Sequence, residues 1–471
     1  MIGYQRFGRI RTTPRILVAL CVLALAGASL HAPVAVADEP GTPPPRCAPT
    51  TQQGIDRSPS PTPTDTEGCT YPTGAQDVSP SIQVARDGTL FIARATRGVL
   101  RSTDDGATWT DIPVPDAAAS AQTTGGHGYV HVDPRTDRVY YVTSLQVPAC
   151  GGVSGAVVSW SDDLGESWTS HPFACDTYDW GKIVTGPAPE GNPYPSATYY
   201  FGVGSRPVSG QRVVYRSLDG GQSWERMSQL AAVSTEAGAG VIAPDGTVYF
   251  DYPEFFGFDP ARVLDQTYPF DPADVCRQMI AVSEDFGAHW RQEPVPGSLT
   301  CLSLYGQQRV AVDREGTLYT VWVDDNDAQL YLSTSHDRAH TWSPPVNIMP
   351  IGATYSHTHA NIIAAEAGHV LIAATMTSDP VNTRLAALSN RSDYSSYLIE
   401  SFDADSPTPH LNTVDLDSPD DPSVRIGEDH NEANAYLGMG PEGQGWAVFS
   451  RHAPQLFTPG QLVAATIRRG Q

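Results

Sequence analysis

The sequence predicts an all-β fold built from a repeated four-stranded unit, and three observations carry that prediction. The pattern Ser-x-Asp-x-Gly-x-x-Trp recurs as STDDGATW (102–109), SDDLGESW (161–168), SLDGGQSW (217–224) and SEDFGAHW (283–290). A fifth copy, SHDRAHTW (335–342), carries Ala339 in the glycine position. The serines of successive copies lie 59, 56, 66 and 52 residues apart, a mean near 58. Upstream of the copies a second pattern returns, apolar run, turn, apolar run, as in IQVARDGTLFIAR (82–94) and GVIAPDGTVYFDY (240–252).

Each unit reads in a fixed order. A strand, an Asp-Gly turn and a second strand come first. A third strand, the eight-residue pattern and a fourth strand follow, as in GVLRSTDDGATWTDIPV (98–114). Glycine supplies the backbone angles of a tight turn, and Ser and Asp side chains bond backbone groups within it. The tryptophan brings apolar area for packing one unit on the next. Four-stranded units that cannot bury their own faces stack as the antiparallel blades of a β-propeller. Residues 77–471 hold close to seven such units. Seven blades are expected, the last two without a recognisable copy of the pattern, and six blades with long insertions are the alternative. The longest interval contains FDYPEFFGFDPARVLDQTYPFDPADVC (250–276), which reads as an insertion in blade 4.

The first 37 residues read as a secretory signal peptide. Arg6, Arg9, Arg11 and Arg15 precede the apolar ILVALCVLALAGASL, and AVA stands before Asp38. No other segment approaches the length of a membrane-spanning helix. The expected product is secreted, extracellular and monomeric. Removing the signal takes away four arginines and no acid, so the net charge moves from −23 to −27. That balance excludes nucleic acid and anionic membranes as partners. Residues 38–76, rich in Pro, Thr and Ser, read as a linker with too few apolar residues for a core. Six cysteines remain, at 47, 69, 150, 175, 276 and 301. An even count in an exported chain points to disulfides, and their grouping suggests Cys47–Cys69, Cys150–Cys175 and Cys276–Cys301.

The five repeated turns resemble the Asp boxes, or BNR repeats, of Asp-box β-propellers, and within these the chain looks like the secreted exo-α-sialidases. The resemblance covers about residues 77–471. It implies an exo-acting glycoside hydrolase that works at the mouth of the central channel. Such boxes also occur in sorting receptors, xyloglucan hydrolases and photosystem assembly factors, so a non-catalytic propeller that binds glycan or protein at the cell surface is the alternative. In sialidases a tyrosine polarised by a glutamate is the nucleophile, an aspartate is the acid/base and three arginines hold the substrate carboxylate. AYLGMGPEGQGWAVFSRH (435–452) resembles the end of a sialidase, which makes Tyr436 the nucleophile, with Glu236 as its glutamate and Arg309 as a substrate-binding arginine. The Arg-Ile-Pro motif of sialidases is absent from the mature chain. SPSIQVARDG (79–88) stands in its place, so the first arginine and the aspartate after it have no counterpart.

Counting back seven residues from the first-turn glycine gives Ser81, Ala239, Arg309, Asn361 and Tyr436 as equivalent innermost-strand positions. His127, Glu236, His357, His359, His430 and Glu432 lie near them in sequence, so a polar ring at the channel mouth is expected. In a strand His357 and His359 share one face, and with His127 or His430 they would offer a metal site and a metal-dependent enzyme. Polar lining of the channel is the simpler role, and no cofactor is expected. DADSPTP (403–409) and DLDSPDDPS (415–423) gather carboxylates as calcium loops do, without the glycine and spacing of an EF-hand, and read as solvated loops. DYPEFFGFDP (251–260) mixes aromatics and acids as sugar-binding loops do.

Overall fold

The computed structural model describes residues 44–95, 98–115, 128–151, 153–204, 211–227, 230–233, 238, 240–256, 275–300, 309–380, 392–428, 435–455 and 458–469. The chain divides into two units, Met1–Gly41, outside those residues, and Thr42–Gln471. Among the described residues no helix is long and apolar enough to cross a membrane.

Seven antiparallel sheets form seven blades. Blade 1 comprises Ser81–Val84, Leu90–Arg94, Gly98–Ser102 and Thr110–Ile112. Blade 2 comprises Gly128–Val132, Val139–Val147, Val153–Ser161 and Thr169–Ala174. Blade 3 comprises Thr177–Pro187, Ser196–Gly204, Gln211–Ser217 and Glu225–Arg226, with Leu230–Val233 also on its third strand. Blade 4 holds Val241–Ile242, Val248–Phe256, Val275–Ser283 and Arg291–Pro294. Blade 5 holds Val310–Val312, Leu318–Val323, Leu330–Ser335 and Val346–Asn347. Blade 6 is Tyr355–Ala364, Val370–Thr377, Ser395–Ser401 and Leu411–Asp415, edged by Thr51–Gln53. Blade 7 is Ala435–Met439, Gly445–Arg451 and Gly460–Arg469, completed by Thr66–Asp77 and Arg46–Pro49. The first strand of each blade touches the first strands of both neighbours, so seven first strands close a ring around the axis. The apolar clusters sit between consecutive sheets.

Residues 46–77 are therefore part of the propeller, where composition alone suggests a linker. Their alternation is hidden among threonines and prolines, yet Thr66–Asp77 runs beside Gly460–Arg469 with Tyr71 opposite Ala464. Asp77 then meets Arg94 of blade 1 at 3.2 Å. Cys47 pairs with Cys69 and Cys150 with Cys175, as their grouping suggests. Cys301 lies outside the described residues, so the third pairing does too. The segment read as a blade 4 insertion begins and ends as strand, through Phe256 and from Val275, and its middle lies outside the described residues.

The five repeated turns share one hydrogen-bond pattern. In the first, Ser102 Oγ donates to Asp104 Oδ1 at 2.8 Å and accepts from the Gly106 N–H at 3.0 Å. Asp104 Oδ1 accepts from the Thr108 N–H at 2.9 Å. Trp109 Nε1 donates to the Gly106 carbonyl at 3.0 Å. The same serine and aspartate bonds recur at Ser161, Ser217, Ser283 and Ser335. Blade 6 holds a degenerate sixth turn. Ser401 donates to Asp403 at 3.1 Å, and Asp403 accepts from the His410 N–H at 2.8 Å, three residues later than in the other turns. Asp403 thus belongs to a turn rather than to a free acidic loop. Asp417 of the second acidic stretch is likewise buried, accepting from the N–H groups of Ser396 and Ser423 at 2.9 and 2.7 Å. Blade 7 has no such turn, because its third and fourth strands come from distant parts of the chain.

Two consecutive residues of every repeated turn are left-handed. The pairs are Asp105–Gly106, Leu164–Gly165, Gly220–Gly221, Phe286–Gly287 and Arg338–Ala339. Ala339, at φ 68°, bears a strain that glycine does not. We expect Ala339→Gly to raise the unfolding free energy by about 0.5–1 kcal/mol, less than the full left-handed penalty because glycine also loosens the unfolded chain. Gly165→Ala, where a Cβ meets nothing closer than 3.6 Å, should lower it by about 1 kcal/mol through backbone strain alone. Urea unfolding midpoints of the two variants check both signs.

Candidate functional site at the channel mouth

The ring of first strands encloses a cavity of about 220 Å³ to which all seven blades contribute. Its walls are mostly apolar, including Val84, Val132, Val184, Ile242, Ile363 and Leu437. Tyr129 and His131 are the titratable side chains among them. The Thr185 N–H points at His131 Nε2 from 3.1 Å, so that nitrogen must accept and the ring is neutral. Burial pushes its pKa down to about 4, against the pull of Asp133.

Tyr436, the second residue of the first strand of blade 7, is buried toward the start of that strand. Its phenol oxygen accepts a hydrogen bond from Lys182 Nζ at 3.3 Å. Lys182 comes from the first strand of blade 3, across the ring. Its ammonium lies 4.5 Å from the centre of the Tyr436 ring and 4.8 Å from that of Tyr129, on the first strand of blade 2. A cation facing two aromatic rings in a dry setting gains from both ring quadrupoles. Burial also raises the Tyr129 phenol above its ordinary range.

Arg309 directly precedes the first strand of blade 5 and is buried. It donates to Gln278 Oε1 at 3.2 Å, and Gln278 Nε2 donates to Asp251 Oδ2 at 3.3 Å. Burial lowers the Arg309 pKa, and Asp251 and Asp325 oppose that shift. Asp251 is buried. Desolvation pushes its pKa up to about 6, against Arg309 and Gln278.

The other expected residues divide. Asn361 Nδ2 donates to the Ala435 carbonyl, so it joins blade 6 to the strand of Tyr436. Ser81 Oγ accepts from the Val130 N–H at 2.9 Å and joins blades 1 and 2. His357 is buried edge-on against Tyr394, with ring centres 5.7 Å apart. The register of its strand slips between Ser356 and Ala360. The His359 side chain, His127, Glu236, His430 and Glu432 lie outside the described residues. Among the described residues the one group with metal-ligand spacing is Cys47, Glu67 and Cys69, whose thiols are joined in a disulfide.

Sequence reasoning missed Lys182, Tyr129 and Asp251. Counting back from a turn glycine works only where the first turn is short and holds that glycine. In blade 2 the turn is DPRTDR (133–138), and in blade 3 it is APEGNPYP (188–195). A basic residue inside the otherwise apolar run KIVTGP (182–187) was the available signal.

No family model matches the chain, and no curated protein matches it. Solved structures resemble it along most of its length. One is a protein of unknown function from Dyadobacter fermentans, at 13% identity over 90% of this chain and 99% of that chain, with a TM-score of 0.43. YCF48 bound to a D1 peptide is similar at 13% identity, 86% and 95% coverage and a TM-score of 0.46. The leech intramolecular trans-sialidase complexed with 2,7-anhydro-Neu5Ac is similar at 13% identity, 84% and 68% coverage and a TM-score of 0.38. At this level of likeness, function has to be argued from the site.

The Asp251 shift makes a prediction with a definite sign. Its folded pKa stands above the ordinary value near 3.8, so between about pH 4 and 6 the folded state holds more proton than the unfolded state. The cost of ionising it is absent below that window and complete above it. Asp251→Asn should remove this fall in stability between pH 4 and 7, on the order of 2 kcal/mol. Urea unfolding at several pH values reads the slope, and equal slopes in both proteins would refute the assignment.

Proposed function

We propose that the protein is an exo-acting, sialidase-like glycoside hydrolase that takes a carboxylate-bearing sugar at the channel mouth. The observation that carries this reading is the hydrogen bond from Lys182 to the Tyr436 phenol. A donated ammonium proton favours the phenolate, the form in which tyrosine attacks an anomeric carbon. A neutral or cation-supported nucleophile also suits an anionic sugar, which would repel a carboxylate. Lys182 and Arg309 supply the positive charge for the substrate carboxylate. Glu236 retains the role that the Asp-box resemblance implies. Export by the N-terminal signal fits a glycan substrate outside the cell and fits the disulfides.

One observation favours the alternative, a secreted propeller that binds such a glycan without cleaving it. The Arg309 head already bonds Gln278 and faces Asp251 and Asp325, an arrangement that also serves as a structural ion cluster.

The experiment is hydrolysis of a fluorogenic sialoside by the mature protein. We expect turnover that falls by roughly 10²–10⁴-fold in Tyr436→Phe, and a raised KM in Lys182→Met. No turnover, with calorimetric binding of sialoside that Lys182→Met abolishes, would replace the hydrolase with the binding protein. Neither turnover nor binding would overturn both.

A further inference from the structure

We propose that His452 is a proton-dependent clasp that holds the Arg425–Glu428 turn, in the connection between blades 6 and 7, against blade 7. His452 follows the second strand of blade 7 and takes a left-handed conformation, φ 57°. Its N–H donates to the Ser423 carbonyl at 2.9 Å. Its ring reaches two carboxylates in the connection from blade 6 to blade 7. Nδ1 lies 3.2 Å from Glu428 Oε2, and Nε2 lies 3.1 Å from Asp421 Oδ1.

A neutral imidazole has one N–H, and an ionised carboxylate only accepts. Both contacts are hydrogen bonds together only when the ring holds both protons. The surrounding charges agree. From the connection, Asp417, Asp421, Arg425 and Glu428 face this cluster, and Arg451 faces it from blade 7. Arg451 Nη2 lies 3.1 Å from Asp417 and 3.3 Å from Asp421, and Arg425 Nη2 lies 2.9 Å from Asp421. With Asp393, which accepts from the Ile426 N–H at 2.8 Å, four carboxylates stand against two guanidiniums, and the imidazolium offsets part of the surplus.

The two ends of the connection are held differently. Its first part is fixed by Asp417 and by the Tyr394–Val424 bridge, whichever form His452 takes. The turn Arg425–Glu428 reaches blade 7 through His452, and Glu428 stands seven residues before Ala435. Loss of the second ring proton leaves one N–H for two carboxylates, and one end lets go. The clasp is closed in mild acid and opens as the imidazole deprotonates. It does not depend on the hydrolase reading.

The test is hydrogen exchange of the mature protein at pH 5.5 and pH 8.5, corrected for intrinsic rates, followed at the amides of 425–428. We expect protection there to fall about tenfold at the higher pH, the loss of one charge-assisted bond. Protection of 445–451 should not change. In His452→Gln, which offers one donor nitrogen and carries no charge, the 425–428 amides should exchange fast at both pH values while 445–451 stays protected, which shows that the variant is folded. Equal protection of the wild type at both pH values would overturn the clasp. So would a pH dependence that survives in His452→Gln.

Discussion

Each blade that carries the repeated turn is fastened to the blade before it through one carbonyl. The residue ahead of the turn glycine is left-handed, and its carbonyl accepts from an arginine of the preceding blade. Arg101 reaches Leu164 at 2.9 Å, Arg138 reaches Gly220 at 2.6 Å, and Arg216 reaches Phe286 at 2.9 Å. Arg291 bonds the Arg338 carbonyl, and Arg468 of blade 7 reaches Asp105 of blade 1 at 3.4 Å. The serine and aspartate hold the turn in this strained form. The turn glycine follows because the position is left-handed, and at Gly106 a Cβ would also stand 3.2 Å from Trp446 of the preceding blade. Charge-assisted bonds to a backbone oxygen are stronger than neutral ones. A chain so acidic spends many of its arginines here.

The architecture was legible because this turn is local. Its serine, aspartate and glycine act within eight residues, so their spacing survives in the sequence. The sixth turn escaped because Pro407, Thr408 and Pro409 push His410 past the expected position. The closing strand escaped for a different reason. Thr66–Asp77 is held by partners almost 400 residues away, such as Leu462, whose carbonyl accepts from Thr73 Oγ1 at 2.9 Å. Nothing in its own composition records that partnership.

The candidate site was legible in part. Arg309 and Tyr436 were found by their distance from a turn glycine, a rule that follows strand register. Asn361 obeys the same rule and proves to be a bond between strands, so register finds a layer and not a role. Lys182 required knowing which blade stands across the axis from blade 7, a fact of ring closure. The Asp251–Gln278–Arg309 chain required the second and third strands of blade 4 to be set beside the first strand of blade 5.

The division of labour between the two ends of the propeller explains where a site can form. The connections that join first to second strands and third to fourth strands carry the turns and the interblade bonds. Among the described residues the remaining connections carry no repeated turn, and they differ widely in length. Second and third strands are separated by 3 residues in blade 1, between Arg94 and Gly98, and by 18 in blade 4, between Phe256 and Val275. A length change at that end leaves the fastening of the blades intact, as expected of segments outside the scaffold. Arg309 and Tyr436 stand where first strands enter from that end. His452 acts on one of its connections. The repeated fastening and the Tyr436 layer thus lie at opposite ends of the same strands.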